Sequence, residues 1–194
     1  MKTVKLKICG LARNRDARLA DRLGADFIGA VLAECSPRRV APEQLSGLFS
    51  GCSRAVRVGV FVDQSIGFIR RAVELGGLKV VQLHGAESAE FAAAIDFAEV
   101  WAANRPDDFP AAALLADGVS GGSGRCCDWS AAARLALKRR LVLAGGLDAE
   151  NLLAAWQTVH PFALDVNSGV ELSPGVKDEI KMKKLFEIFK KIED

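Results

Sequence analysis

The chain has 194 residues, half of them hydrophobic, and a net charge of +2, which is the apolar content of a globular protein with one sizeable core. The near balance of charge argues against a nucleic-acid partner. Arg38-Arg39, Arg70-Arg71 and Arg139-Arg140 are basic pairs, but no long Lys/Arg run with interleaved aromatics is present. Five cysteines without CxxC spacing and two histidines offer no structural zinc site, and no metal is expected. No stretch of about 18 apolar residues could span a bilayer, and the start MKTVKLKIC lacks the apolar centre of a signal peptide, so the expectation is a cytoplasmic protein without a membrane partner.

In chain order, strand-like runs fall at 3–9 (TVKLKIC), 25–32, 55–62, 78–84, 99–103, 113–117, 141–146 (LVLAGG) and 162–168 (FALDVNS). Between them, segments 14–23, 43–50, 65–75, 87–97, 130–138 and 148–158 carry apolar residues three and four apart, and 178–192 closes the chain in the same way. Eight strands alternating with helices predict an α/β fold, a minimal (βα)8 TIM barrel over residues 1–194 as one domain. An open doubly wound sheet is the alternative. One that binds a dinucleotide would carry G-x-G-x-x-G after its first strand, whereas Gly10 is followed by Leu11 and Ala12. Only NRPDDFPAA, 104–112, separates strands five and six, and its two prolines predict a shortened or irregular fifth helix.

In such a barrel the residues at the C-terminal strand ends share one mouth. Those are Cys9, His84, Asp117, Gly145, Gly146, and Asp165 through Gly169. The glycines of LAGGLDAEN, with Asp148 as helix N-cap, and the Ser168-Gly169 pair opening a short extra helix predict an anion site of backbone N–H groups, and so a phosphorylated substrate. The glycine-rich stretch 117–129 lacks the GKS or GKT ending of a nucleotide loop and reads as a flap. A thiol at a strand end is either a core hydrophobe or a functional group. Lys7 lies on the same side of its strand as Cys9, deeper in the barrel or paired with an acid.

The segments KICGL (7–11), GADFIG (24–29), SPRRV (36–40), VGVFV (58–62), VQLHG (81–85), GGSGRCCDW (121–129), LAGGL (143–147) and DVNSGVELSPGVKD (165–178) together resemble the phosphoribosylanthranilate isomerases of tryptophan biosynthesis, over nearly the whole chain. The resemblance implies a cofactor-free Amadori rearrangement, with Asp117 as general acid and Cys9 as general base. It also implies that Arg38 pairs with the anthranilate carboxylate, that His84 supports the site, that Asp165 meets ribulose hydroxyls, and that Gly145, Gly146, Ser168 and Gly169 hold phosphate. The partner is then a small phosphosugar-anthranilate molecule, bound by a monomer or homodimer.

Three positions depart from the family pattern: Arg39 in place of an aromatic residue, Ala102 in place of a lysine, and Cys127 in place of a phenylalanine. Competing readings are the related sugar-phosphate isomerisation of histidine biosynthesis, which calls for an aspartate where Cys9 stands, and a catalytically silent phosphosugar-binding barrel or assembly subunit.

Overall fold

The computed structural model describes residues 4–118 and 128–193. Eight parallel strands close into a barrel in chain order: β1 (Lys5–Ile8), β2 (Phe27–Val31), β3 (Val56–Phe61), β4 (Val80–Leu83), β5 (Glu99–Ala103), β6 (Ala113–Ala116), β7 (Leu141–Leu143) and β8 (Ala163–Val166). β1 closes the ring against β8, Lys7 opposite Asp165 and Ile8 opposite Val166. Most strands are one to three residues shorter at an end than their apolar runs suggest. LVLAGG, for example, leaves the ladder after Leu143, because Gly145 and Gly146 adopt φ of 88° and 65°, outside the range a strand can use.

Alternation along each strand makes two apolar layers. Residues such as Val58, Trp101, Leu115 and Val142 fill the barrel, while others such as Leu6, Ile28, Leu114 and Leu143 face the surrounding helices. Those helices are α1 (Asn14–Leu23), α2 (Leu45–Leu48), α3 (Ile66–Gly76), α4 (Ala89–Ala93), α5 (Trp129–Ala136), α6 (Leu152–Val159) and α7 (Glu179–Glu193). α7 buries Met182, Leu185, Phe186, Phe189 and Ile192, the apolar stripe that its sequence spacing predicts.

Local chemistry sets the ends of the helices. Ser65 and Ser88 cap α3 and α4 by accepting from Phe68 N and Phe91 N. Gly24 and Gly77 stop α1 and α3 in the left-handed conformation. The segment expected as one helix over 43–50 is a 3-10 turn, Pro42–Gln44, running into the single turn of α2, and the helix expected over 87–97 is only Ala89–Ala93. Between Ala103 and Ala113 the chain makes no helix; Phe109 N and Ala111 N donate to Pro106 O and Phe109 O in consecutive turns. After β8 a 3-10 turn, Ser168–Val170, leads into a small antiparallel hairpin of β9 (Glu171–Ser173) and β10 (Val176–Lys177), which the sequence pattern does not suggest.

Candidate active site

The C-terminal strand ends surround a cavity of about 280 Å³. Cys9, Arg38, His84, Asp117, Gly145, Gly146, Asp165 and Ser168 all line it, brought from six strands and the loops that follow them. Gly169 does not reach the cavity. A Cβ there would collide with Leu147 O and come within 2.8 Å of Asp148 Cβ, so this glycine lets the loops after β7 and β8 pack backbone against backbone.

Cys9 directly follows β1 and is almost completely buried, beside Val31, Ala33 and Val60. Lys7, two residues back on the same face, is fully buried. Its ammonium donates to Asp165 Oδ2 at 2.7 Å, Gln82 Oε1 at 2.8 Å and Cys9 Sγ at 3.2 Å. The sequence makes room for this on β2: a Cβ at Gly29 would stand 3.0 Å from Cys9 Sγ and 3.1 Å from Lys7 Cε. Burial pushes the Cys9 thiol above its ordinary value, against the pull of Lys7 and, from farther away, Lys177. Burial also penalises the Lys7 charge, but Asp165 and Cys9 outweigh it and keep the ammonium protonated.

Arg38 follows β2 and presents its fork to Glu171. Nε lies 3.0 Å from Oε1 and Nη2 lies 2.7 Å from Oε2. Glu171 Oε1 also accepts from Lys177 Nζ at 3.0 Å and from Gly175 N at 3.1 Å, and Lys177 Nζ donates to Asn167 O and Oδ1. Burial opposes ionisation of Glu171, yet Arg38 and Lys177 outweigh it and hold the carboxyl below its usual range. The arginine expected to await a substrate carboxylate is therefore already half engaged. A guanidinium has two usable edges, and only the Nε/Nη2 edge is taken, so the Nη1 side has no acceptor among the described residues. Arg39, beside it, is half-exposed and only 4.0 Å from Glu34.

Across the mouth, Asp117 follows β6. Its backbone N donates to Asn104 Oδ1 at 3.1 Å, and its Oδ1 accepts from Gly118 N at 2.8 Å. His84 Nε2 stands 3.3 Å from Asp117 Oδ2 without the alignment of a hydrogen bond, and His84 Nδ1 faces Gln82 Nε2 at 3.4 Å. Because Gln82 Oε1 is held by Lys7, its amide nitrogen must face His84, which makes Nδ1 the acceptor and puts the proton on Nε2, toward Asp117. Asp165 Oδ1 is buried and has no partner among the described residues. The expected flap over 117–129 falls mostly on 119–127, which lie outside the described residues, as do Cys126 and Cys127.

The backbone N–H groups of Gly145, Gly146, Ser168 and Gly169 donate to no acceptor among the described residues. Asn151 fixes the first of these loops, donating from Nδ2 to Gly146 O at 2.8 Å and accepting from Asp148 N at 3.0 Å. Asp148 does not cap α6 directly as expected. Its Oδ1 accepts from Glu150 N and Asn151 N in a turn that delivers the chain to Leu152, where α6 begins.

Sequence reading misses Gln82, Glu171 and Lys177. Gln82 and Lys177 carry a signal, being polar residues at inward or buried positions, whereas Glu171 meets Arg38 across 133 residues and has none. Among the described residues no three His, Cys, Asp or Glu side chains converge as metal ligands would.

The family model for N-(5'-phosphoribosyl)anthranilate (PRA) isomerase matches residues 6–188. The N-(5'-phosphoribosyl)anthranilate isomerase of Pelobacter propionicus is 39% identical over 200 residues, covering 96% of each chain. The crystal structure of phosphoribosyl anthranilate isomerase from Thermus thermophilus superimposes with a TM-score of 0.92 at 41% identity, covering 97% of this chain and 100% of that one. A phosphoribosyl anthranilate isomerase in complex with reduced 1-(o-carboxyphenylamino)-1-deoxyribulose 5-phosphate does so with a TM-score of 0.88 at 33% identity, covering 97% of this chain and 99% of that one. A strand-end thiol and carboxyl over one cavity, beside two loops whose backbone N–H groups meet no acceptor among the described residues, thus sit in a barrel whose sequence matches along nearly its full length, and the chain belongs to the N-(5'-phosphoribosyl)anthranilate isomerase family.

Proposed function

We propose that this chain converts N-(5'-phosphoribosyl)anthranilate to 1-(o-carboxyphenylamino)-1-deoxyribulose 5-phosphate, a step of tryptophan biosynthesis, by general acid-base catalysis without a cofactor. The observation that carries the assignment of roles is that Cys9 and Asp117, from β1 and β6, line one cavity with Gly145, Gly146 and Ser168 on its rim. Asp117, as the neutral acid, gives its proton to the ring oxygen while the anthranilate nitrogen pushes its lone pair to C1′ and the C1′–O bond breaks. The Cys9 thiolate then takes the C2′ proton from the resulting Schiff base. The electrons of that C–H bond form the C1′–C2′ double bond of an enolamine, which tautomerises to the ketone product.

The N–H groups of Gly145, Gly146 and Ser168 hold the phosphate at the loops after β7 and β8. The open edge of Arg38 takes the anthranilate carboxylate, held flat by Glu171 behind it. Asp165 Oδ1, buried and unpartnered, accepts from a sugar hydroxyl, and the Nε2 proton of His84 supports Asp117 once its own proton has gone. The reading has a monomer or homodimer take its substrate from solution in the cytoplasm, with no membrane or nucleic-acid partner.

The test is the decay of anthranilate fluorescence with freshly generated substrate. The unmodified protein should consume it, and Cys9→Ser and Asp117→Asn should each lower kcat by about 10²- to 10⁴-fold with little change in KM. An unmodified protein that leaves the fluorescence untouched would refute the assignment.

A further inference from the structure

The interior of the barrel beneath the cavity holds one ammonium whose three donors are all committed. Lys7 Nζ is bonded to Asp165 Oδ2 from β8, Gln82 Oε1 from β4 and Cys9 Sγ from its own strand, at 2.7, 2.8 and 3.2 Å. We propose that Lys7 is a positioning residue whose contact with the Cys9 sulfur favours the thiolate over the thiol, and that Asp165 competes with that sulfur for the same ammonium and so sets how basic the sulfur is. The proposal rests on Cys9 being the base.

Packing alone does not call for a lysine here. An apolar side chain of similar length would fill the same space without the cost of desolvating a charge, and replacing a buried ion pair by apolar residues is often neutral or stabilising. The base, in contrast, needs the ion. A thiol that burial pushes upward is mostly protonated near neutral pH, and a phosphate and a carboxylate arriving with the substrate would push it further.

Among the described residues, four charged groups act on Cys9. Lys7 lies beneath it, Asp165 beside it on β8, Lys177 on β10, and Arg38 on the loop after β2, while β2 and β3 contribute only Val31, Ala33 and Val60. Arg38 and Lys177 are tied to Glu171, and Asp117 and His84 act on Asp165 from across the mouth. Of the three cations, Lys7 is the one that touches the sulfur. Asp165 holds Lys7 through one oxygen and its other oxygen has no partner among the described residues, so the carboxylate proposed to meet the substrate also draws on the charge that serves the base.

The roles predict opposite shifts for two neighbouring substitutions, which a purely structural pair would not produce. The probe is carboxymethylation of Cys9 by iodoacetate as a function of pH, read by mass spectrometry of the Cys9 peptide, which separates it from exposed Cys35 and the other thiols. Lys7→Met should move the apparent pKa of Cys9 upward by about one unit or more, and Asp165→Asn should move it downward by about as much. The limb of each variant's turnover profile that reports Cys9 should move in the same direction.

An unchanged or lowered value in folded Lys7→Met, or an unchanged or raised value in Asp165→Asn, would overturn the proposal. If Lys7→Met does not fold, the direction in Asp165→Asn decides alone. Because alkylation is read without substrate, turnover retained by Cys9→Ser would refute the role of Cys9 as base separately from this titration.

Discussion

The two ends of the barrel interior are built by the same strand alternation and filled with opposite chemistry. At the N-terminal end Phe27, Trp101 and Phe162 pack edge to face, with ring centroids 4.9 Å apart for Phe27 and Trp101 and 6.3 Å apart for Trp101 and Phe162. The indole Nε1 of Trp101 donates to Glu99 at 2.7 Å, and the Arg140 guanidinium covers Phe162 at 3.9 Å. At the C-terminal end the interior turns ionic with Lys7 and Asp165, and polar atoms such as Asp165 Oδ1 and His84 Nε2 are left without hydrogen-bond partners among the described residues. One end stores packing energy and the other holds unspent hydrogen-bonding capacity over a cavity, which is where a substrate gains most from binding.

Substitutions should respect this division. Trp101→Ala, at a fully buried site, should lower unfolding free energy by about 3–5 kcal/mol in urea titration while leaving kcat of the surviving folded protein close to that of the unmodified chain. A large loss of kcat with native stability would break the comparison from the packing side.

Glu171→Gln should do less to stability and more to binding. Removing the carboxylate behind Arg38 and Lys177 should cost about 1.5–3 kcal/mol, and loosening the fork of Arg38 should raise KM about tenfold, equivalent to about 1.4 kcal/mol. The same change should alter acid unfolding. The Glu171 carboxyl is held below its unfolded value of about 4.3, so it contributes stability that is present above that value and lost as pH falls through the folded one. The variant should therefore lose less stability on acidification than the unmodified protein, measured by urea midpoints at stepped pH.

What is legible in the sequence follows the range of the forces involved. Strand alternation is local, so the order of residues along the chain is enough to mark the eight strands, the inward face shared by Lys7 and Cys9, and the gathering of Asp117, Gly145 and Asp165 at one mouth. It does not mark the length of α4 or the break-up of the segment at 42–48, because single-turn choices there depend on packing against the barrel rather than on propensity. Partnerships are the least visible. Arg38 reads as free for a ligand, since nothing near it in sequence announces Glu171, and Gly169 reads as part of an anion cradle when its first constraint is the Leu147 carbonyl against it. The two-strand hairpin that brings Glu171 and Lys177 to the site is too short to leave a periodic signal.

The central claim is a division of labour, with Asp117 opening the ring and Cys9 removing the C2′ proton. The most direct test is the kinetic isotope effect on residual turnover of substrate deuterated at C2′. In Cys9→Ser, proton removal should limit the rate and the full primary effect should appear; in Asp117→Asn, ring opening should limit it and the effect should fall toward one. Equal effects in the two variants, or the reverse order, would contradict the account.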